Sequence, residues 1–392
     1  MAELALTQVR SQPQATTSNR MLVLDRLRGI AILLMAFQHT TYFAQSDLIS
    51  ESYQGVRPDI TTWPHVVLGM ITHLATEIFY TLAGVSVAFF ENSRRKRGWT
   101  EWQITRFFFV RAGILLVLDR VVQLLAYGRT EAPFSVLSAI GICLAILAVL
   151  RRLPLWSIAT FGILLFIGYQ FLVEQFPPLP DSPFYALHVT LFHYHPDSWP
   201  LVRDPALGRL PLVLLGYVVG RALKGDFKLT ANRLLAAAAG GLTAWLILRV
   251  SGGYGNILVY QPEWPFIYFF IMNKQPVSMV YILFYLSWGL VVLAILQRIE
   301  VYLQEGLVGR VLMILGQTSL FFYVMHLLVY ALIGSVYNTL MQSGILPETL
   351  FNGMGLVRCG VQYIIGLLIL IPLCAAYRQL RHLHTGSILQ YL

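Results

Sequence analysis

The chain has little charge for its length. Only 12% of its 392 residues are Asp, Glu, Lys or Arg, whereas 57% are hydrophobic, and the mean hydropathy is +0.65. A soluble domain carries roughly a quarter charged residues, so a protein of this composition could not cover its surface in water. The composition therefore excludes an ordinary soluble protein.

Cysteine and the common cofactor motifs are also scarce. Cys143, Cys359 and Cys374 all lie in apolar stretches without metal-ligand spacing, so no disulfide framework is expected. The chain contains no P-loop, no GxGxxG after a strand, no HExxH and no CxxC. His39 and His73 could bind a metal in principle, but no second histidine or cysteine stands three or four residues from either one. The sequence therefore predicts no metal cofactor.

What the chain does have is a series of apolar blocks, most of them about 20 residues long and so sufficient to cross roughly 30 Å of hydrocarbon as a helix, with the sixth one short. The blocks fall at about 22–44, 64–90, 104–127, 133–150, 154–173, 209–223, 231–250, 277–297, 308–333 and 355–377. The first one runs too far for a signal peptide and lacks a cleavage pattern, so we expect it to be retained. The predicted fold is an all-α, polytopic integral membrane protein of about ten transmembrane helices.

The net charge of +9 is spread over short basic clusters between the apolar blocks. Alternate connections are richer in Lys and Arg, as in the run 94–97, which indicates cytoplasmic loops and places both termini in the cytoplasm. This distribution does not suggest a nucleic-acid partner. Residues 1–20 are predicted to be a disordered polar tail, 21–380 a single transmembrane domain, and 381–392 a cytoplasmic tail.

Ionisable side chains at membrane depth are costly and usually face a cavity or a partner. With the helix directions set by the charge pattern, one group is expected at a single level near the outer leaflet: His39, His73, Glu77, Asp119, Arg120, Lys274 and His326. A single buried histidine is more often a packing residue than a catalyst. Several ionisable groups at one depth favour an occupied cavity.

A histidine close to a carboxylate can act as a general base near neutral pH. On the opposite side, Arg28, Arg106 and Arg111 form a basic inner layer that could hold a phosphate-rich donor. The alternative for these arginines is anchoring by the positive-inside rule.

Several segments resemble a known family. The stretch 24–39, LDRLRGIAILLMAFQH, is similar to the first-helix signature of the transmembrane acyltransferase superfamily. The following segments are similar to bacterial proteins related to heparan-alpha-glucosaminide N-acetyltransferase: MITHLATEIFYTLAGVSVAFF (70–90), FFFVRAGILLVLD (107–119), LLGYVVG (214–220), IMNKQPVSM (271–279) and LGQTSLFFYVMHLLVYAL (315–332). They stand in the family's order and together span roughly 24–333.

The resemblance implies transfer of an acyl group from acetyl-CoA or another acyl-CoA on the cytoplasmic side to a hydroxyl or amine on the other side. By position, five residues match the family's motifs: Arg28, His39, His73, Lys274 and His326. The chain has NKQPVS where relatives often have a paired-proline KxPPS stretch, so the donor site there differs. The identity of the acceptor cannot be carried over from the family, because its members differ in what they acylate.

These observations predict roles for individual residues. His39 is expected to be the general base or to be transiently acylated, with Asp119 or Glu77 orienting it, and His73 is the next catalytic candidate. The substrate pocket is expected to be lined by Lys274, His326, Glu77 and Arg120. Arg28, Arg106 and Arg111 are expected to meet the phosphates of coenzyme A.

The expected partners are the lipid bilayer, acyl-CoA and a glycan or lipid-linked acceptor, with a homodimer left open. Two other functions remain as alternatives. A transporter or flippase for a sugar or lipid intermediate could use the same polar layer as a substrate path, but the sequence has no inverted repeat. A purely structural membrane partner is disfavoured by the number of ionisable groups at membrane depth.

Overall fold

The computed structural model describes residues 14–45, 50–59, 62–130, 134–197, 199–224, 228–304, 306–345 and 355–383. The described part of the chain forms twelve α-helices: α1 (Gln14–Phe43), α2 (Trp63–Lys96), α3 (Glu101–Tyr127), α4 (Val136–Leu150), α5 (Leu155–Gln175), α6 (Tyr185–Phe192), α7 (Ala206–Ala222), α8 (Ala231–Ser251), α9 (Met279–Leu303), α10 (Leu307–Gln317), α11 (Ser319–Gln342) and α12 (Gly355–Leu383). Two short strands, β1 (Glu51–Tyr53) and β2 (Met272–Gln275), form a parallel pair. A 3₁₀ turn at Phe266–Phe270 leads into β2.

The predicted all-α membrane architecture is confirmed. Each predicted apolar block contains a helix, but the block 308–333 is two helices, α10 and α11, which meet at Thr318. The Thr318 hydroxyl donates to the carbonyl of Ile314 at 2.8 Å, and its backbone leaves the helical conformation, so the chain breaks there. A further short helix, α6, lies in the loop 174–208 between two predicted blocks. Residues 1–13 of the predicted tail lie outside the described residues.

Within the described part of the chain, six helices are long and apolar enough to cross a membrane: α2, α5, α8, α9, α11 and α12 as far as Arg381. The predicted count of ten spans therefore stays a prediction. Several of these helices leave large apolar side chains exposed, among them Leu164 on α5, Ile247 on α8 and Leu368 on α12. In an integral membrane protein such side chains face lipid rather than water.

Glycines allow α2 and α7 to approach closely. A Cβ on Gly84 of α2 would lie 1.9 Å from the carbonyl oxygen of Val213, and one on Gly216 of α7 would lie 2.2 Å from that of Thr81. Small residues permit this backbone contact between membrane helices, where dispersion replaces the hydrophobic effect as the source of association. This helix pair carries Glu77 and Arg209, and its close packing brings those two side chains together.

The short helix α10 packs against the middle of α1 in the same way. A Cβ on Gly316 would lie 1.8 Å from the carbonyl oxygen of Asp25, and one on Gly29 would lie 2.2 Å from that of Leu312. Arg26 forms a buried ion pair with Glu300 near the end of α9. This part of α1 is therefore held against both α9 and α10.

Three helix ends that carry basic residues, those of α2, α4 and α7, meet the start of α3 at one end of the bundle. The buried carboxylate of Glu91 on α2 contacts Arg95, Arg151 from the end of α4 and Arg221 on α7. Arg151 also pairs with Glu101 at the start of α3 at 2.8 Å. Three of the predicted cytoplasmic connections, those after α2, α4 and α7, thus share one end of the bundle. Which side of the membrane this end faces stays a prediction.

Candidate functional site

Two histidines from different helices form the centre of the candidate site. Nδ1 of His39 on α1 lies 2.8 Å from Nε2 of His326 on α11, and the two rings are stacked. His326 is fully buried, whereas His39 is partly exposed. Tyr323, one turn before His326, presents its ring at right angles to His39 at 6.4 Å between centroids.

The hydrogen bonds of His326 determine how this pair can act. Its Nδ1 lies 3.0 Å from the backbone carbonyl of Phe322, which can only accept, so Nδ1 carries a hydrogen. In the uncharged ring Nε2 then has a lone pair, which accepts the Nδ1 hydrogen of His39. This assignment, made from the hydrogen-bond network, leaves Nε2 of His39 with a lone pair. That nitrogen has no hydrogen-bond partner among the described residues.

A second cluster, beside His39, joins β1, β2 and α2. Oε1 of Glu51 is 2.7 Å from Nε2 of His73 and 3.3 Å from Nζ of Lys274. Nδ1 of His73 lies 2.5 Å from the carbonyl of Gly69, so both ring nitrogens of His73 are engaged within the protein. His73 and Lys274 lie within electrostatic range of His39.

Glu51 lies outside the helices, in the strand β1. Burial alone would raise the pKa of its carboxyl group. The charges of His73 and Lys274, with hydrogen bonds from His73 and Tyr53, outweigh burial and hold the pKa of Glu51 well below its ordinary value. Glu51 is therefore a carboxylate that joins two basic groups at the edge of the site.

A third group of charges lies between α2 and α7. Arg209 and Glu77 form a fully buried ion pair, and Nε of Arg209 donates to Asp204 at 3.1 Å. Asp204 also accepts hydrogen bonds from Tyr80 and from the side chain of Gln275. Because Gln275 belongs to β2, this network fixes the strand that carries Lys274. Glu77 pairs with Arg209 and does not contact His39.

Asp119 and Arg120 occupy separate positions on α3. The carboxylate of Asp119 accepts hydrogen bonds from the backbone and hydroxyl groups of Ser135 and Ser138, and these backbone bonds cap the start of α4. The guanidinium of Arg120 lies 3.9 Å from the ring centroid of Phe134. The structure therefore places His326, and neither Asp119 nor Glu77, on the ring of His39.

The three arginines of the predicted inner layer do not all lie together either. Arg28 pairs with Asp25 and donates to the hydroxyl of Ser86 at 2.7 Å. Arg111 lies within electrostatic range of Arg28. Arg106 is exposed on α3, five residues before Arg111 and therefore about 140° away around the helix. The structure thus brings Arg28 and Arg111 together and leaves Arg106 apart.

Sequence reasoning missed Glu51, Asp204 and Arg209. Glu51 and Asp204 lie in connections between apolar blocks, where a carboxylate is ordinarily solvated. Arg209 stands at the edge of a block, where it is hard to distinguish from an interfacial anchor. A signal was available for Arg209, because it is the one charged residue among the apolar residues 208–220.

The fold and the site define a polytopic integral membrane protein with a histidine pair and two charged clusters inside its helix bundle. The chain belongs to the acyltransferase domain family, whose model matches residues 21–376. No curated protein gives a match. The predicted superfamily is thereby confirmed, and the protein is a membrane acyltransferase. The branch related to heparan-alpha-glucosaminide N-acetyltransferase stays a prediction.

Proposed function

We propose that this acyltransferase takes an acyl group, most simply acetyl, from acyl-CoA on the cytoplasmic side of the membrane. It delivers that group to a hydroxyl or amine of a glycan or lipid-linked acceptor on the other side. The observation that carries the proposal is the free Nε2 lone pair of His39, beside a buried second histidine and two basic side chains, in a chain of the acyltransferase family.

In this proposal His39 is the general base. Its Nε2 takes the proton of the acceptor O–H or N–H, while the acceptor atom attacks the thioester carbonyl. The C–S bond then breaks, and the coenzyme A thiolate leaves with the proton returned from His39. His326 accepts the Nδ1 hydrogen of His39 and so stabilises the imidazolium that forms between these steps.

Lys274 supports the developing negative charge on the carbonyl oxygen. Its ammonium group lies at the edge of the site, partly exposed, held by Glu51 at 3.3 Å and within electrostatic range of His39. A fixed positive group near the oxygen of a tetrahedral intermediate is one of the larger contributions to acyl-transfer catalysis. In this proposal His73 is a positioning residue, because both of its nitrogens are occupied.

Arg28 and Arg111 would meet the phosphates of the donor. Arg28 lies eleven residues before His39 on α1, about 16 Å away along the helix. The long pantetheine arm of coenzyme A suits this separation, since its thioester lies at the opposite end from its phosphates. Exposed Arg106 fits positive-inside anchoring better.

The alternative of a transporter or flippase is not favoured by membership of an acyltransferase family. The proposal is tested by incubating the purified protein in detergent with radiolabelled acetyl-CoA and a panel of glycans. Label should appear in an acceptor with the parent protein and not with His39→Ala. Label that never leaves acetyl-CoA across the panel, while the protein remains folded, would contradict the proposed donor and acceptor classes.

A further inference from the structure

We infer that Arg381, on the last helix, joins Arg28 and Arg111 to form one binding site for a diphosphate group. The inference rests on the proposed function, because coenzyme A is the diphosphate ligand considered. It adds a residue that lies beyond the family match, which ends at residue 376.

The position of Arg381 follows from contacts with α10. Its Nη1 donates to the backbone carbonyl of Gln317 at 3.1 Å. Gln317 follows Gly316, and Gly316 lies so close to Asp25 on α1 that a Cβ there would be 1.8 Å from the Asp25 carbonyl oxygen. Since Asp25 is the ion-pair partner of Arg28, the end of α12 is held beside the part of α1 that carries both residues.

Arg111 completes the group from α3. Its side chain is partly buried and within electrostatic range of both Arg28 and Arg381. It makes no ion pair or hydrogen bond with another described residue. Arg111 thus has one guanidinium group from each of two other helices within electrostatic range.

The charges in this cluster do not balance. In the part of the chain that the structure describes, Asp25 is the one carboxylate that contacts any of the three arginines, which leaves two positive charges. Arg28 and Arg111 are partly buried, whereas Arg381 is exposed. Like charges in a partly buried place repel more strongly than in water. A diphosphate would relieve that repulsion, and guanidinium groups bind phosphate oxygens with paired hydrogen bonds.

A basic cluster at a helix end could also serve simply as an anchor for the membrane surface. The geometry favours a ligand, because Arg381 is tied to the end of α10 beside α1, and Arg28 is tied to Ser86. Arg378, one turn earlier on α12, offers a matched control. It has the same charge on the same helix, and among the described residues it contacts none of the three arginines.

The test is direct binding to the purified full chain in nanodiscs of zwitterionic lipid, with coenzyme A, pantetheine and inorganic pyrophosphate as probes. Arg381→Gln should weaken coenzyme A binding about ten- to a hundredfold, the effect of losing a hydrogen bond to a charged group. Its effect should shrink at high salt. Arg378→Gln should remain within about twofold of the parent, since it removes an equivalent charge outside the site. Arg381→Lys should retain part of the affinity and replaces Arg381→Gln if that variant does not fold.

The outcomes separate this inference from the proposed function. A parent that binds coenzyme A with an affinity unchanged by Arg381→Gln overturns the inference and leaves the proposed donor intact. A parent that binds no coenzyme A but binds pyrophosphate through Arg381 overturns the donor and leaves the anion site. If the parent binds neither probe, the inference fails. It also fails if Arg381→Gln loses only co-purifying anionic phospholipid, because the cluster is then a lipid-headgroup site.

Discussion

His39 on α1 and His326 on α11 share a hydrogen bond of 2.8 Å between Nδ1 and Nε2. The two helices run side by side in the same direction here, since Phe43, one turn after His39, contacts Gly334, two turns after His326. The carbonyl of Phe322 fixes the hydrogen on His326, and His326 in turn directs the free lone pair of His39 into the site. This relationship separates the roles of the two histidines and makes them testable.

Replacing His39 tests the base. His39→Gln and His39→Ala should lower turnover by about 10²–10⁴-fold, the usual contribution of general base catalysis, while leaving the thermal unfolding midpoint close to that of the parent. Acyl transfer from radiolabelled acetyl-CoA measures the effect. Acid quench in the absence of acceptor distinguishes a general base from a histidine that is transiently acylated, because only the acylated histidine leaves a labelled protein. A folded His39→Ala protein with parental turnover would exclude His39 from catalysis.

His326 acts through His39, so its side chain can be replaced by another hydrogen-bond acceptor. His326→Gln, whose amide oxygen can accept from Nδ1 of His39, should keep more turnover than His326→Ala. We expect a difference of about tenfold, which corresponds to one net hydrogen bond. The affinity for coenzyme A should be the same in both variants, because the donor phosphates bind elsewhere. Equal turnover in the two variants would mean that the hydrogen bond does not orient His39.

Glu51 makes the stability of the folded protein depend on pH, in a direction that follows from the shift of its pKa. Because the folded protein holds the pKa of Glu51 below its ordinary value, the stability it contributes is complete above about pH 5 and is lost as the pH falls toward the folded pKa. Glu51→Gln leaves the buried His73 and the partly exposed Lys274 without their carboxylate and should cost on the order of 3 kcal/mol at neutral pH.

Thermal unfolding in detergent at several pH values checks this expectation. The difference between the parent and Glu51→Gln should be constant above about pH 5 and should narrow below it. Glu263→Gln, at an exposed glutamate in the loop before β2, is the control and should match the parent throughout. A parent–variant difference that widens in acid would contradict the assigned direction.

The ion pair of Arg209 and Glu77 predicts a strong coupling between two helices. Arg209→Met leaves the carboxylates of Glu77 and Asp204 buried without their cation and should destabilise the protein by about 3–5 kcal/mol. The double variant Arg209→Met with Glu77→Gln should recover part of that loss, since one uncompensated charge is removed. Arg203→Gln is the control. Arg203 lies next to Asp204 in the loop before α7 but is partly exposed, so this variant should change stability by less than about 0.5 kcal/mol. Additive effects in the double variant would show that the two side chains are energetically independent.

Much of the architecture was predictable because each helix carries its own signal. A long apolar block specifies a membrane helix by hydropathy alone, whatever its neighbours are. The site was only partly predictable, because depth along a helix places His39 and His326 at one level but does not reveal which faces meet. Depth grouped Asp119 with His39, yet two serines at the start of α4 surround Asp119. Glu51 was missed because a parallel strand pair between distant loops leaves no local periodicity.

Cysteine labelling can measure the orientation of the bundle in the membrane. The native cysteines are buried, so background labelling should be low. Cys143, Cys359 and Cys374 are all buried, so the parent should react little with a membrane-impermeant thiol reagent. A cysteine at exposed Arg95, in the last turn of α2, or at exposed Lys228, after α7, should be labelled from the cytoplasm only, as the basic connections predict.

A cysteine at exposed Ala186, on α6 in the opposite loop, should be labelled from outside only. Labelling of intact cells before and after permeabilisation measures both sides in one preparation. Contacts around Glu91 place the connections after α2, α4 and α7 at the same end of the bundle, so labelling at 95 and at 228 must agree. Reaction of the Ala186→Cys protein from the cytoplasmic side would invert the predicted orientation and place the acyl donor opposite Arg28.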